Sequence, residues 1–189
     1  MTVESFAIMR GHLPTAVGRL IGFMPMLPFE LICRQLADNA AAARPSLATR
    51  LGDHTGATFA IDPIDCPFAF LVTLWHGRPV ITLRRDLRDV AYAARVAAPL
   101  VVLFGMLDGS YDGDALFFSR DLVIEGDTSA VLALRNALDD AEIDPATLAG
   151  VPAPLKALFN RGAEAVLDGL RRLLDAPPPT RAGAFGPAP

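Results

Sequence analysis

Three histidines (His12, His54, His76) and five serines are the residues from which a hydrolase would be built, and two cysteines (Cys33, Cys66) are the only thiols. No serine lies in a GxSxG elbow, and there is no HExxH, no Cys/His zinc spacing, no GxxxxGK(S/T) loop and no GxGxxG loop. A triad drawn from distant positions stays open, since its members need only meet in space. The nearest thing to a metal site is "DGSYDGD", with Asp108, Asp112 and Asp114. A calcium loop begun at Asp108 would need its bidentate glutamate at Ser119, after Phe117 and Phe118, so the run reads as a solvated turn. Arg84, Arg85, Asp86, Arg88 and Asp89 form a mixed-charge loop, a solvated face with some capacity to meet lipid phosphate. His76 beside Trp75 sits at a hairpin end and needs no function there. No catalytic, metal-binding or cofactor-binding residue is expected.

Composition turns the question from reaction to binding. Of 189 residues, 52% are apolar and only 20% charged, and the mean hydropathy is +0.36. An average soluble chain carries about 25% charge, so this one has apolar surplus for a core, a cavity or a surface that meets lipid or a partner. A net charge of −4 without a Lys/Arg cluster argues against nucleic acid. The two cysteines stand apart from any CxxC pair and read as buried or idle thiols in a reducing compartment. Glu4 precedes only a short apolar stretch with no small-residue cleavage site, so no secretory signal is expected. The apolar run "LPTAVGRLIGFMPMLPFELI" is broken by Pro14, Pro25 and Pro28 and carries Arg19 and Glu30, which speaks against a spanning helix.

The positioning elements follow from periodicity. A proline-punctuated apolar segment leads into a helix from Phe29, with Leu31, Ile32 and Leu36 on one face. "ATFAID", "FAFLVTLWHG" and "RPVITLRRD" read as strands, the last two joined as a hairpin at Gly77. "DVAYAARVAA" places Val90, Tyr92, Ala94 and Val96 at period two, although helix periodicity fits its alanines nearly as well. "PLVVLFGML" reads as a short buried helix and "RDLVIEG" as a strand. A helix capped by Asp127 or Thr128 follows, with Val131, Leu132, Leu134, Leu138 and Ala141 buried. A last helix carries Leu155, Leu158, Phe159, Val166, Leu167, Leu170, Leu173 and Leu174 on one long apolar face, and packing on the domain is the expectation for it. The fold class is α+β.

The run "DGDALFFSRDLVIEGDTSAVLALRNALDD" resembles the signature of sterol carrier protein 2 domains, in which a Phe-Phe-containing approach leads to a strand ending in Glu-Gly-Asp and then a helix. The residues that carry it are Asp114, Leu116, Phe117, Phe118, Arg120, Leu122, Ile124, Glu125, Gly126, Asp127 and Thr128. Within that superfamily the chain is most similar to the UbiT group, accessory factors of oxygen-independent ubiquinone biosynthesis. The resemblance implies a twisted, mainly antiparallel five-stranded sheet covered by helices, with an apolar lipid cavity. Val96, Leu100, Leu103, Phe104, Leu107, Phe117 and Phe118 would line or close it, and Glu125, Gly126, Asp127 and Thr128 would make the strand-to-helix turn.

It also implies a non-catalytic, cytoplasmic lipid-binding protein, peripheral at the inner membrane, that holds polyprenylated quinone intermediates and presents them to hydroxylases. Those partners would be UbiU/UbiV-type, peptidase-U32-like iron–sulfur hydroxylases. The alternative is a general phospholipid, fatty-acid or sterol-type carrier at the membrane surface, touching it through the amphipathic segments near 13–28 and 155–175. The expected organisation is an apolar N-terminal segment 1–28, a lipid-binding domain 29–142, a C-terminal amphipathic extension 143–175 and a flexible tail 176–189.

Overall fold

The computed structural model describes residues 11–43, 51–75, 78–107, 110–141 and 145–177. Strands β1 (Thr58–Pro63), β2 (Ala69–Trp75) and β3 (Arg78–Arg84) form an antiparallel meander. β2 and β3 pair from Ala69↔Arg84 to Trp75↔Arg78, which makes the expected hairpin; its turn residues His76 and Gly77 lie outside the described residues. β4 (Ala94–Ala98) then lies parallel to β1 on the other side, and β5 (Val123–Gly126) pairs antiparallel with β4. The result is an open, mostly antiparallel five-stranded sheet of order β3-β2-β1-β4-β5.

A parallel neighbour requires a crossover, and residues 85–93 supply it as irregular chain. The strand expected from Val90 therefore begins only at Ala94. The Val90 N–H is turned back onto the Leu87 and Arg88 carbonyls and cannot join a ladder.

Helices cover one face. They are α1 (Thr15–Phe23), α2 (Leu27–Ala43), α3 (Leu100–Leu107), α4 (Gly113–Ser119), α5 (Thr128–Ala141), α6 (Pro145–Leu148) and α7 (Ala153–Leu173). Phe59, Leu74 and Ala94 pack with Leu51 under Ala130, Leu134 and Ala137 of α5. Val96 and Ala98 pack with Val101, Val102 and Leu103 of α3 and with Tyr111, Leu116 and Leu122. Phe68 and Leu83 pack under Cys33 of α2. Each large side chain fully removed from water here contributes ~1.5–3 kcal/mol.

Several sequence expectations are corrected. The inward stripe of α2 is Cys33, Ala37 and Ala40, small residues that let the helix lie close on β3, and this turns Leu31 and Ile32 outward. In α5 the buried positions are Ala130, Leu134 and Ala137, while Leu132 is exposed; the side chains of Leu138 and Ala141 lie outside the described residues. Residues 15–23 and 113–119 are helical where no helix was expected. α4 starts because the Asp112 carboxylate accepts from the Asp114 N–H (3.0 Å), and Arg135 of α5 pairs with both Asp112 (3.0 Å) and Asp114 (3.1 Å). The acidic run is thus a helix cap and an ion-pair anchor as well as a turn; Asp108 lies outside the described residues.

The largest departure is α7. Its half-buried and buried positions are Lys156, Asn160, Ala163, Leu167, Arg171 and Leu174, spaced three and four apart. Lys156 Nζ donates to Thr147 (2.8 Å), the Asn160 side chain accepts from Ala146 N (2.8 Å), and Arg171 sits over the Tyr111 ring, 5.1 Å from its centroid. The inward side is mixed, its polar contacts standing beside Ala163, Leu167 and Leu174, and the apolar face Leu155, Leu158, Phe159, Val166, Leu170 and Leu173 is left exposed. After it the chain does not leave at once: Ala176 packs on the α3 cluster and Tyr111 donates to the Pro177 carbonyl (2.5 Å). The tail expected from 176 is therefore ordered through 177, and 178–189 lie outside the described residues.

Candidate functional site

α3 and α4 carry most of the residues expected to meet a lipid. Val96 and Leu103 are buried in the cluster under α3, and Leu100 is half-buried. Phe104 projects outward from the same helix. Leu107 is the last residue of α3, and its side chain lies outside the described residues. On α4, Leu116 points into the core while Phe117 and Phe118 stand out of it, 50% and 83% exposed, in an edge-to-face pair with centroids 5.9 Å apart. The six described positions therefore divide into an inner layer and an exposed aromatic rim. A short helix with Leu116 inward must turn its next two residues outward, because successive side chains are about 100° apart.

A second feature lies on the opposite face of the sheet. Arg95 alternates with Ala94 and Val96, so it leaves the helix-covered face. Its Nε and Nη2 donate to Asp62 of β1 (2.8 and 2.5 Å), and its Nη1 donates to Glu125 of β5 (2.8 Å). Burial opposes the charge, but the bonds to Glu125 and Asp62 outweigh it and hold the guanidinium above its ordinary pKa. Arg95 and Asp62 border a cleft of about 350 Å³, lined also by Cys66, Phe68, Ala69, Tyr92 and the loop residues Arg85, Asp86, Leu87 and Arg88.

The cleft has little to react with. Burial, with Asp65 and Asp62 beside it, pushes the Cys66 thiol up to about 12, so it is neutral and a poor nucleophile. Arg88 pairs with Asp86 (2.5 Å), and Arg85 reaches the carbonyls of Gly22 and Met24. Walls this charged suit a small polar group rather than an acyl or isoprenoid chain. Sequence reading named the loop arginines, gave Tyr92 only a place in a strand pattern, and did not single out Arg95 or Asp62. The signal was an arginine inside an otherwise apolar strand.

The fold does bring a serine, a histidine and an aspartate together. His54 Nε2 is 3.5 Å from Ser129 Oγ, and His54 Nδ1 is 3.9 Å from Asp127. However, Ser129 Oγ donates to Asp127 itself (2.6 Å). The N–H groups of Ser129 and Ala130, which an oxyanion would need, also go to Asp127 (2.9 and 3.2 Å). These bonds, Ser129 first, hold the Asp127 carboxyl below its ordinary pKa. The cluster is the cap of α5. Glu125 belongs to the Arg95 network, and Gly126 has φ +89°, where a Cβ would lie 2.4 Å from the Ala93 carbonyl. Asp127 caps the helix and Thr128 is its first residue. Among the described residues no group of three His, Cys, Asp or Glu side chains could hold a metal ion.

The comparisons agree with this architecture. The profile described as "SCP-2 sterol transfer family" matches residues 35–139. A solved structure titled "UbiJ-SCP2 Ubiquinone synthesis protein" superposes with a TM-score of 0.51 at 20% identity, covering 65% of this chain and 98% of that one. The sterol carrier protein domain 2 of Helicoverpa armigera gives 0.43 at 12% identity (58% and 86% covered). Apo sterol carrier protein 2 from Yarrowia lipolytica gives 0.43 at 12% (61% and 91% covered). No curated protein matches the chain.

Proposed function

The chain belongs to the SCP-2 sterol transfer family, and on that footing we propose that it is a non-catalytic lipid-binding accessory factor of oxygen-independent ubiquinone biosynthesis, of the UbiT kind. It holds polyprenylated quinone intermediates and presents them to UbiU/UbiV-type iron–sulfur hydroxylases in the cytoplasm. The lipid-binding unit is 29–142, with 1–28 and 143–175 as flanking elements.

One observation carries the reading. Phe104, Phe117 and Phe118 stand exposed on two short helices whose inner residues form a dry apolar layer with Val96. Exposed aromatics over a dry layer suit a chain that slides between the helices and sheds water as it does. Each methylene so buried gains ~0.8 kcal/mol. Leu100, Leu103 and Leu107 would then form the wall and the three phenylalanines the mouth. A structural relative titled as a ubiquinone synthesis protein supports the choice of cargo, and the weak nucleophiles at the cap and the cleft support a carrier over an enzyme.

The test is extraction of the purified protein, expressed anaerobically in a quinone-producing host, with mass spectrometry of the extract. Ubiquinone or its polyprenyl-phenol precursors at near-stoichiometric amount are expected, and Phe117→Ser/Phe118→Ser should lose about tenfold of the load. Phospholipid or fatty acid alone would make it a general carrier. A lipid-free, well-folded protein would end the binding reading.

A further inference from the structure

α7 carries its outward residues in a repeat that its own fold does not explain. Leu155, Gly162 and Gly169 follow one another at seven-residue steps, and so do Phe159, Val166 and Leu173. Seven residues is the interval at which two helices stay in contact along their length. All six positions are exposed. A Cβ at Gly162 or Gly169 would meet nothing of the chain itself within 4 Å. Glycine inside a helix weakens it relative to alanine, and here neither glycine lets another element of the same chain come close. Two notches on an outward apolar face make room for something from outside.

The face is complementary to itself. Two copies of α7 laid antiparallel about a two-fold axis at Glu164 bring Leu155 level with Leu173 of the other copy, and Leu158 with Leu170. The same register sets Phe159 against Gly169 and Val166 against Gly162, so the large central side chains meet the notches. A two-fold interface has to match itself in this way. Charge agrees with shape. Arg161 of one copy comes level with Asp168 of the other, on the same flank of the seam and twice by symmetry, and both residues are exposed. Glu164 lies about 180° round the helix from Leu155, so the two copies of this acid at the axis point away from each other.

From this pattern we infer that α7 is a homodimerisation surface, the occupant of its apolar face being α7 of a second copy, antiparallel and in this register. A bilayer would gain nothing from the notches. The exposed charges of the helix, Arg161 and Arg172 against Glu164 and Asp168, also balance, so anionic headgroups find no excess of cation there. A seam one helix wide lies at the small end of specific interfaces, about 1,200 Å², and the pair forms with a Kd on the order of 10 μM. In more dilute solution the chain is monomeric and the face of α7 stands in water. The inference holds whichever lipid is carried.

The experiment is sedimentation of the full chain from about 1 μM to about 500 μM, a range that brackets this Kd. A monomer-to-dimer transition is expected. Gly162→Leu/Gly169→Leu fills both notches and should raise the dissociation constant about a hundredfold. Helix content and melting of the dilute variant should hold or rise, because leucine favours a helix over glycine and nothing crowds either site. Arg161→Glu should raise the constant about fivefold at low salt, with the difference shrinking as salt is added. A Leu155→Cys chain mixed with a Leu173→Cys chain should cross-link to it and not to itself. A wild type that stays monomeric over the whole range overturns the inference. So does a leucine variant that associates as well as the wild type or better, since the face would then be a general apolar surface, of the kind that meets lipid or another protein. Cross-linking of the Leu155→Cys chain to itself would make the pair parallel and overturn it too.

Discussion

The segment that matches the family and the helices that flank it solve opposite problems. Between residues 35 and 139 the core-forming apolar side chains turn inward: Phe59 and Val102 are fully enclosed, and Leu74, Val96 and Leu116 are buried around them. Trp75, Leu132 and the rim of Phe104, Phe117 and Phe118 are outward exceptions. In α1 and α7 the arrangement is reversed. α1 puts glycines inward and Phe23 outward; α7 puts Lys156, Asn160 and Arg171 inward and leaves Leu158 71% exposed. Amphipathicity therefore has two readings here. In the matched segment it records how the chain folds, and in the flanks it records what the folded chain offers to something else.

The largest test of that contrast is a pair of truncations. Phe59→Ala empties a fully enclosed site between the sheet and α5 and should cost ~3–5 kcal/mol in denaturant unfolding. Leu158→Ala removes as exposed an aliphatic side chain as α7 has among its helical core turns, and should leave the midpoint within ~0.5 kcal/mol. A comparable loss in both would mean that the apolar face of α7 is packed in solution, and the contrast would collapse.

Much of the matched segment was legible in the sequence because one period governs it. β1 to β3 alternate over enough residues to be recognised, and Asp127 announces α5 by chemistry that few other positions share. Legibility failed where two structures satisfy one pattern. "DVAYAARVAA" carries alanines that suit strand or helix, and only the Val90 turn and pairing with β1 set the start at Ala94. The Asp-rich run before Phe117 has the composition of a turn, and it caps a helix because Arg135 returns to it from α5. The Arg95 network joins residues 33 and 30 positions apart, visible only once β1, β4 and β5 are neighbours. For α7 the apolar stripe was legible but its direction was not. Periodicity says that a helix has two sides and is silent on which one meets the protein.

Arg95 sharpens the comparison from within the matched segment, since it is a charged residue held partly buried there. Its partners Asp62 and Glu125 are themselves partly buried. Arg95→Met leaves two carboxylates facing each other without a cation. A fully buried case costs about 3–5 kcal/mol. Partial exposure to water screens this one, and ~2–3 kcal/mol is the expected loss in chemical denaturation. Replacing all three by Arg95→Met/Asp62→Leu/Glu125→Leu should recover most of it, because no charge is then stranded. If the triple variant is as unstable as the single one, packing of the arginine stem and not the charge balance is what β4 needs.

The smallest effect is expected at the joint between the two regions. Arg171 lies against the Tyr111 ring and pairs with Asp168 (2.9 Å), and the Tyr111 hydroxyl in turn holds the Pro177 carbonyl. A buried guanidinium over an aromatic face contributes ~1–2 kcal/mol. Its loss falls on the attachment of α7, since Arg171 meets the Tyr111 ring and lies beside Gly105 of α3. Arg171→Leu keeps an apolar stem in place and should leave global unfolding within ~1 kcal/mol of wild type. Amide exchange over 163–174 should nevertheless accelerate, and protease should cut α7 before anything else. Were global unfolding and α7 exchange to shift together, α7 would belong to the same cooperative unit as the sheet, and its outward apolar face would have to be explained as part of the fold.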